Sequence, residues 1–124
     1  MKQSKKIPFD VQQPQLPFIV THKAAGIMNA PFDMIKITYA NEQEGLQLIL
    51  AESNATNKSS PKGTLGPNLS DGSQTWIQGD ENFSGLYWRR DGHTYSLASN
   101  KIENGKFVPL YDESKLIEIA NTIK

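Results

Sequence analysis

The chain has 124 residues, no cysteine, and 13 basic residues balanced by 13 acidic ones, for a formal net charge of zero. The lack of cysteine excludes disulfides, thiolate nucleophiles and cysteine-ligated zinc, and the charge balance excludes the basic excess that holds a protein on nucleic-acid phosphates. The length suits one domain spanning 1–124, and no apolar run approaches the ~20 residues of a membrane-crossing helix.

The opening stretch, MKQSKKIPFDVQQPQLPF, contains Pro8, Pro14 and Pro17, which cannot donate to a sheet ladder and bias their neighbours to extended backbone. Residues 1–15 are therefore expected to form an extended lead-in. Lys2, Lys5 and Lys6 make a local basic patch of the kind that is usually solvated, and no apolar stretch follows to make them a secretory signal. Phe18 to His22 reads as a short strand and Asp33 to Ala40 as another. After a turn at Asn41 to Gly45, Leu46, Leu48 and Leu50 share one face of a third strand, with Gln47 and Ile49 on the other. Short turns between successive runs predict antiparallel pairing, because parallel strands need longer crossovers.

From Ser53 to Thr75 small polar residues, glycine and proline dominate, and only Ala55, Leu65 and Leu69 are apolar. The composition predicts a long flexible loop over 53–75 with no regular element, a length that in a compact domain signals either mobility or function. It lacks the GxxxxGK[ST] order of a phosphate-cradling loop. The triplets at Asn54, Asn57, Asn68 and Asn82 match the glycosylation acceptor pattern, which arises by composition in such a stretch and matters only on a eukaryotic secretory route.

Gln74 to Gly79 resumes as a strand around Trp76 and Ile77. Asp91-Gly92 is then a two-residue loop suited to a type I′ turn, since both residues tolerate positive φ. Counting outward from it pairs Arg90 with His93, Arg89 with Thr94, Trp88 with Tyr95, Tyr87 with Ser96 and Leu86 with Leu97. In that register Leu86, Trp88, Tyr95 and Leu97 share an apolar face while Tyr87, Arg89, Thr94 and Ser96 share a mostly polar one. Asn104-Gly105 closes a further hairpin between Ser99–Ile102 and Lys106–Leu110, with Pro109 placing the last strand at an edge.

In LYDESKLIEIANTIK, Leu116, Ile119, Ala120 and Ile123 recur at i, i+3, i+4 and i+7, the stripe of an amphipathic helix, with Glu113, Lys115, Glu118 and Asn121 facing outward. Asp112 is the expected N-cap, and Glu113 suits the positive end of the helix dipole. The expected fold is α+β: a curved antiparallel sheet of about five to seven strands with a C-terminal helix packed on it.

For chemistry the residues offer little. His22 and His93 are the only groups that ordinarily titrate near neutral pH, and neither sits in a metal-ligand spacing. The carboxylate pairs Asp80-Glu81 and Asp112-Glu113 each lie beside a turn or a helix start, where they have local work. No catalytic residue, metal ligand or cofactor site is assigned. Tyr87 and Arg89 are the best recognition candidates, because arginine beside aromatic rings is enriched where proteins bind partners. Trp88, on the apolar face, reads as core.

The order GLYWRRDGHTYSLAS, a variable hairpin and then ESKLIEIANTI resembles the ending of the extracytoplasmic domain of unknown function family 4367. Trp88, Tyr95 with Leu97, and Leu116, Ile119, Ala120 and Ile123 carry the likeness, joined by Leu16 to Phe18 and by Ile37 to Asn41. The resemblance implies an α+β domain on the outer side of the membrane of Gram-positive bacteria, carried on lipoproteins or membrane-anchored regulators. It supplies no catalytic residues. The upstream anchor or lipid-attachment cysteine expected of such proteins does not occur in this chain. Three functions are consistent with these readings. The preferred one is a non-enzymatic extracytoplasmic binding or sensory module for a protein, peptide or lipid ligand, without nucleic acid and meeting the membrane only through an upstream anchor. The others are a structural protein–protein interaction domain and a small hydrolase.

Overall fold

The computed structural model describes residues 14–29, 33–54, 63–90 and 92–123. The patch at Lys2, Lys5 and Lys6, Pro8, Asp91 and residues 55–62 of the 53–75 segment lie outside the described residues. Among the described residues eight strands and one helix follow in chain order: β1 His22–Met28, β2 Met34–Asn41, β3 Leu46–Ser53, β4 Thr64–Leu65, β5 Thr75–Gly79, β6 Ser84–Arg90, β7 His93–Glu103, β8 Lys106–Pro109 and α1 Glu113–Ala120. All strands belong to one open antiparallel sheet in the order β1-β2-β3-β7-β6-β5-β4, with β8 attached to β7. The fold is the expected α+β arrangement of a sheet with a C-terminal helix.

β7 organises the sheet because two turns that demand positive φ lie at its ends. Gly92 has φ 79°, while Asn104 and Gly105 have φ 53° and 76°. One edge of β7 carries β3. The other carries β6 on residues 93–99 and β8 on residues 100–103, so those two strands share it end to end. The β6–β7 register is the one counted from the turn, Trp88 against Tyr95 and Arg89 against Thr94. Pro109 pairs with Asn100 from an outer strand, where its missing N–H costs no ladder bond.

The register divides the sheet into an inner and an outer face. Ile37, Tyr39, Leu48, Leu50, Leu86, Trp88, Tyr95 and Leu97 are buried on the inner face beneath Leu116, Ile119, Ala120 and Ile123. The Trp88 and Tyr95 rings lie parallel, 5.3 Å apart and inclined by 3°, a contact worth about 0.5–1.5 kcal/mol beyond the area it buries. An eight-residue helix is too short to hold itself together in water. It persists here because its stripe is buried and because Asp112 accepts a hydrogen bond from the Lys115 amide at 2.9 Å, with Glu113 in the first turn.

Three sequence expectations need correction. Phe18–His22 is not a strand; pairing begins at His22, as β1. Leu16, Phe18 and Val20 do alternate inward, but they pack against the core rather than join a ladder, and the Ile19 carbonyl is met by the Asn41 side-chain amide at 3.0 Å. The 53–75 segment is not free of regular structure. Ser53 ends β3, Thr64–Leu65 pairs with β5 as β4, and Leu69 is buried in the core. With this short strand the sheet has eight strands among the described residues. Asn121, expected to face outward, turns its side-chain oxygen to accept from the Ser70 amide at 2.8 Å.

Candidate functional site

Arg89 and Arg90 are adjacent on β6, and strand alternation sends them to opposite faces. Arg90 goes to the inner face and becomes a structural tie. Its guanidinium donates to the Asp71 carboxylate and to the Ile123 backbone carbonyl, each at 3.1 Å, and lies 4.9 Å from the centre of the Tyr95 ring. Burial works against its charge, but Tyr95 and Asp71 outweigh that and hold its pKa above the ordinary arginine value. Asp71 is held below the usual carboxylate range, first by hydrogen bonds from Ser73 and then by Arg90. A cleft of about 390 Å³ opens here between the Leu69–Asp71 stretch and the helix end. Its polar walls are already joined to each other, Arg90 to Asp71 and Ser70 to Asn121.

Beside this tie lies an imidazole–carboxylate contact on the inner face. His93 Nδ1 is 2.7 Å from Glu52 Oε2, and Glu52 is only 3% exposed. Tyr95 stands between Glu52 and Arg90, and burial raises its phenol above the ordinary tyrosine value. Orienting an imidazole by a carboxylate is half of an acid–base apparatus. Of the adjoining hydroxyls, those of Ser53 and Thr94 lie on the outer face and bond each other at 2.5 Å. The second histidine belongs to a different place: His22 pairs with Glu42 at 3.4 Å on an exposed surface. The remaining acidic pairs do the local work expected of them, Asp80 accepting from the Asn82 amide and Asp112 capping α1.

Tyr87 and Arg89, the residues read as recognition candidates, are brought together on the outer face, and the structure adds Trp76 to them. Trp76 pairs with Tyr87 across β5 and β6, and the two rings meet edge to face at 6.1 Å and 77°. The Arg89 guanidinium carbon lies 5.8 Å from the Tyr87 ring centre and 6.0 Å from that of Trp76. Leu65, paired with Trp76 and 66% exposed, extends the apolar edge of the group, while Thr94 and Ser96 flank it on β7. The only helix among the described residues packs on the other face. Trp76 escapes a sequence reading because its neighbours are set by the β5–β6 register. The signal that could have found it is the four-residue turn 80–83, counted outward to place Trp76 opposite Tyr87.

An α+β antiparallel-sheet domain with an arginine–aromatic group on its outer face is the class these observations define. A scan against family models, a search of curated proteins and a search of solved structures each return no match. The functional reading therefore rests on the geometry.

Proposed function

We propose that the protein is a non-enzymatic binding module that uses Trp76, Tyr87 and Arg89 to hold an acidic, partly apolar peptide segment of a protein partner. The observation that carries this is the Arg89 guanidinium set within about 6 Å of two rings that themselves meet edge to face. Stacking engages the flat of a guanidinium, whereas the geometry that matches a carboxylate lies in its plane, so one arginine can serve both a ring and an anion. The rings supply apolar contact at little entropic cost, and Leu65 enlarges it. Placement on the outer side of a membrane belongs to the same proposal and is supported by the resemblance of the hairpin and helix alone.

The test is a titration of a peptide panel in which glutamate and aspartate alternate with leucine and phenylalanine, read by tryptophan fluorescence and calorimetry. Saturable binding that weakens with salt and is lost in Arg89→Ala and Trp76→Ala, with an unchanged circular dichroism spectrum, is the expected result. Absence of binding across the panel, or binding indifferent to Arg89→Ala, would sink the proposal.

A further inference from the structure

The two ends of the sheet are finished differently. At one end β4 has only two residues, and β8, which also lies outermost, has four and closes on Pro109. Short strands and proline are ordinary ways of blunting an edge against pairing with another chain. At the other end lies β1, His22–Met28, seven residues with no proline and an unbroken antiparallel register against β2. No described segment pairs with its outer edge. His22 to Gly26 are exposed, and a Cβ built on Gly26 would meet nothing within 4 Å. The one charge that ordinarily guards such an edge, Lys23, has its ammonium 5.6 Å from the centre of the Tyr39 ring, drawn over the protein's own sheet.

We infer that β1 is a strand-addition edge and that its occupant is the β1 of a second copy, joined antiparallel about a two-fold axis at Ala25. The sequence HKAAGIM is self-compatible in that register. Ala25 meets Ala25 of the second copy, Ala24 meets Gly26, Lys23 meets Ile27 and His22 meets Met28. The centre is therefore small against small, so the backbones can close to bonding distance. Each lysine lies opposite an isoleucine, never opposite another lysine, which removes the like-charge opposition that destabilises directly facing pairs. Self-pairing satisfies both edges at once and forms a closed two-fold dimer. Such main-chain pairing supplies affinity without needing a pocket. The contact is narrow, so it belongs among weak, concentration-dependent interfaces. It is independent of Trp76, Tyr87 and Arg89, which lie at the far end of the sheet.

Sedimentation equilibrium of the full chain between about 1 and 300 µM, a range suited to weak interfaces, tests this. A monomer–dimer equilibrium is expected for the wild type and for Ala25→Ser. Ala25→Lys and Ala25→Glu place like charges against each other on the axis, and each should be monomeric with an unchanged far-ultraviolet spectrum. Mixing those two variants in equal amounts should restore the dimer, because lysine then faces glutamate. A monomeric wild type throughout the range overturns the inference. So does a dimer that survives both charged variants, or a failure of the mixture to recover, since either would put the contact away from Ala25.

Discussion

The inner and outer faces of the sheet use nearly the same residue types to opposite ends. On the inner face Trp88, Tyr95 and Arg90 are stacked and tied, with Trp88 fully buried. On the outer face Trp76, Tyr87 and Arg89 form a similar trio in which all three are only part-buried. The cause of the difference is what lies above each trio. The inner face is covered by the helix stripe and Leu69, with Leu16, Phe18 and Val20 packed against the same core. A tryptophan, a tyrosine and an arginine therefore say little about function until their face is known, and strand parity decides the face.

The largest effect that separates the faces should come from Trp88→Ala. Emptying a site at 0% exposure removes the stacked partner of Tyr95 and leaves a cavity under the helix. A loss of about 3–5 kcal/mol is expected from urea unfolding. A loss below about 0.5 kcal/mol, within the scatter of ordinary surface changes, would mean that the inner face is not the core.

Arg90→Ala should come next. It leaves the Ile123 carbonyl and the Asp71 carboxylate without their shared donor and unfastens the Leu69–Asp71 stretch from the helix end. The expected cost is about 1–3 kcal/mol, the range for stranding partly buried polar groups. Limited proteolysis in the 63–74 segment should rise in parallel, and an unchanged cleavage rate there would argue against the tie.

How much of this was legible depends on how far apart the interacting residues are. The Trp88–Tyr95 stack could be counted from a two-residue turn, because turn chemistry and apolar alternation specify the same register. The helix cap at Asp112 and the stripe from Leu116 to Ile123 are equally local. The expected strand at Phe18–His22 misled because alternation with a period of two marks any extended segment with one buried side. Leu16, Phe18 and Val20 obey it while lying against the core without pairing. β4 could not be read at all, since two residues have no period. Arg90 and Arg89 were separable by parity, but the partners of Arg90, at Asp71 and Ile123, are 19 and 33 residues away. No spacing rule reaches them.

Tyr39 and Tyr95, buried in the core, and Tyr111, part-buried against it, give a pH signature that belongs to the inner side of the sheet. Burial raises the pKa of Tyr39, Tyr95 and Tyr111 above 10.0. A folded-state pKa that is raised keeps the phenol protonated in the native state after the unfolded chain has begun to lose its proton. The stabilisation is thus whole below about pH 10 and declines as pH climbs through the native values, by at most about 1.4 kcal/mol per pH unit for each phenol. Urea midpoints measured from pH 9 upward should fall, and the fall should be smaller in Tyr111→Phe. A midpoint that holds constant into strong alkali would show that the phenols are not buried as described.

The smallest effect, and the most telling, is expected at Arg89. Its ring contacts are weak cation–π interactions on a part-buried surface, so Arg89→Ala should cost about 1 kcal/mol or less. One position along the same strand, the same substitution is expected to cost more. If Arg89→Ala and Arg90→Ala prove equally damaging, the outer trio is a structural cluster like the inner one, and the binding reading loses its main support. If Arg89→Ala leaves stability nearly untouched while abolishing peptide binding, the outer trio is held in place for a reason that folding does not supply.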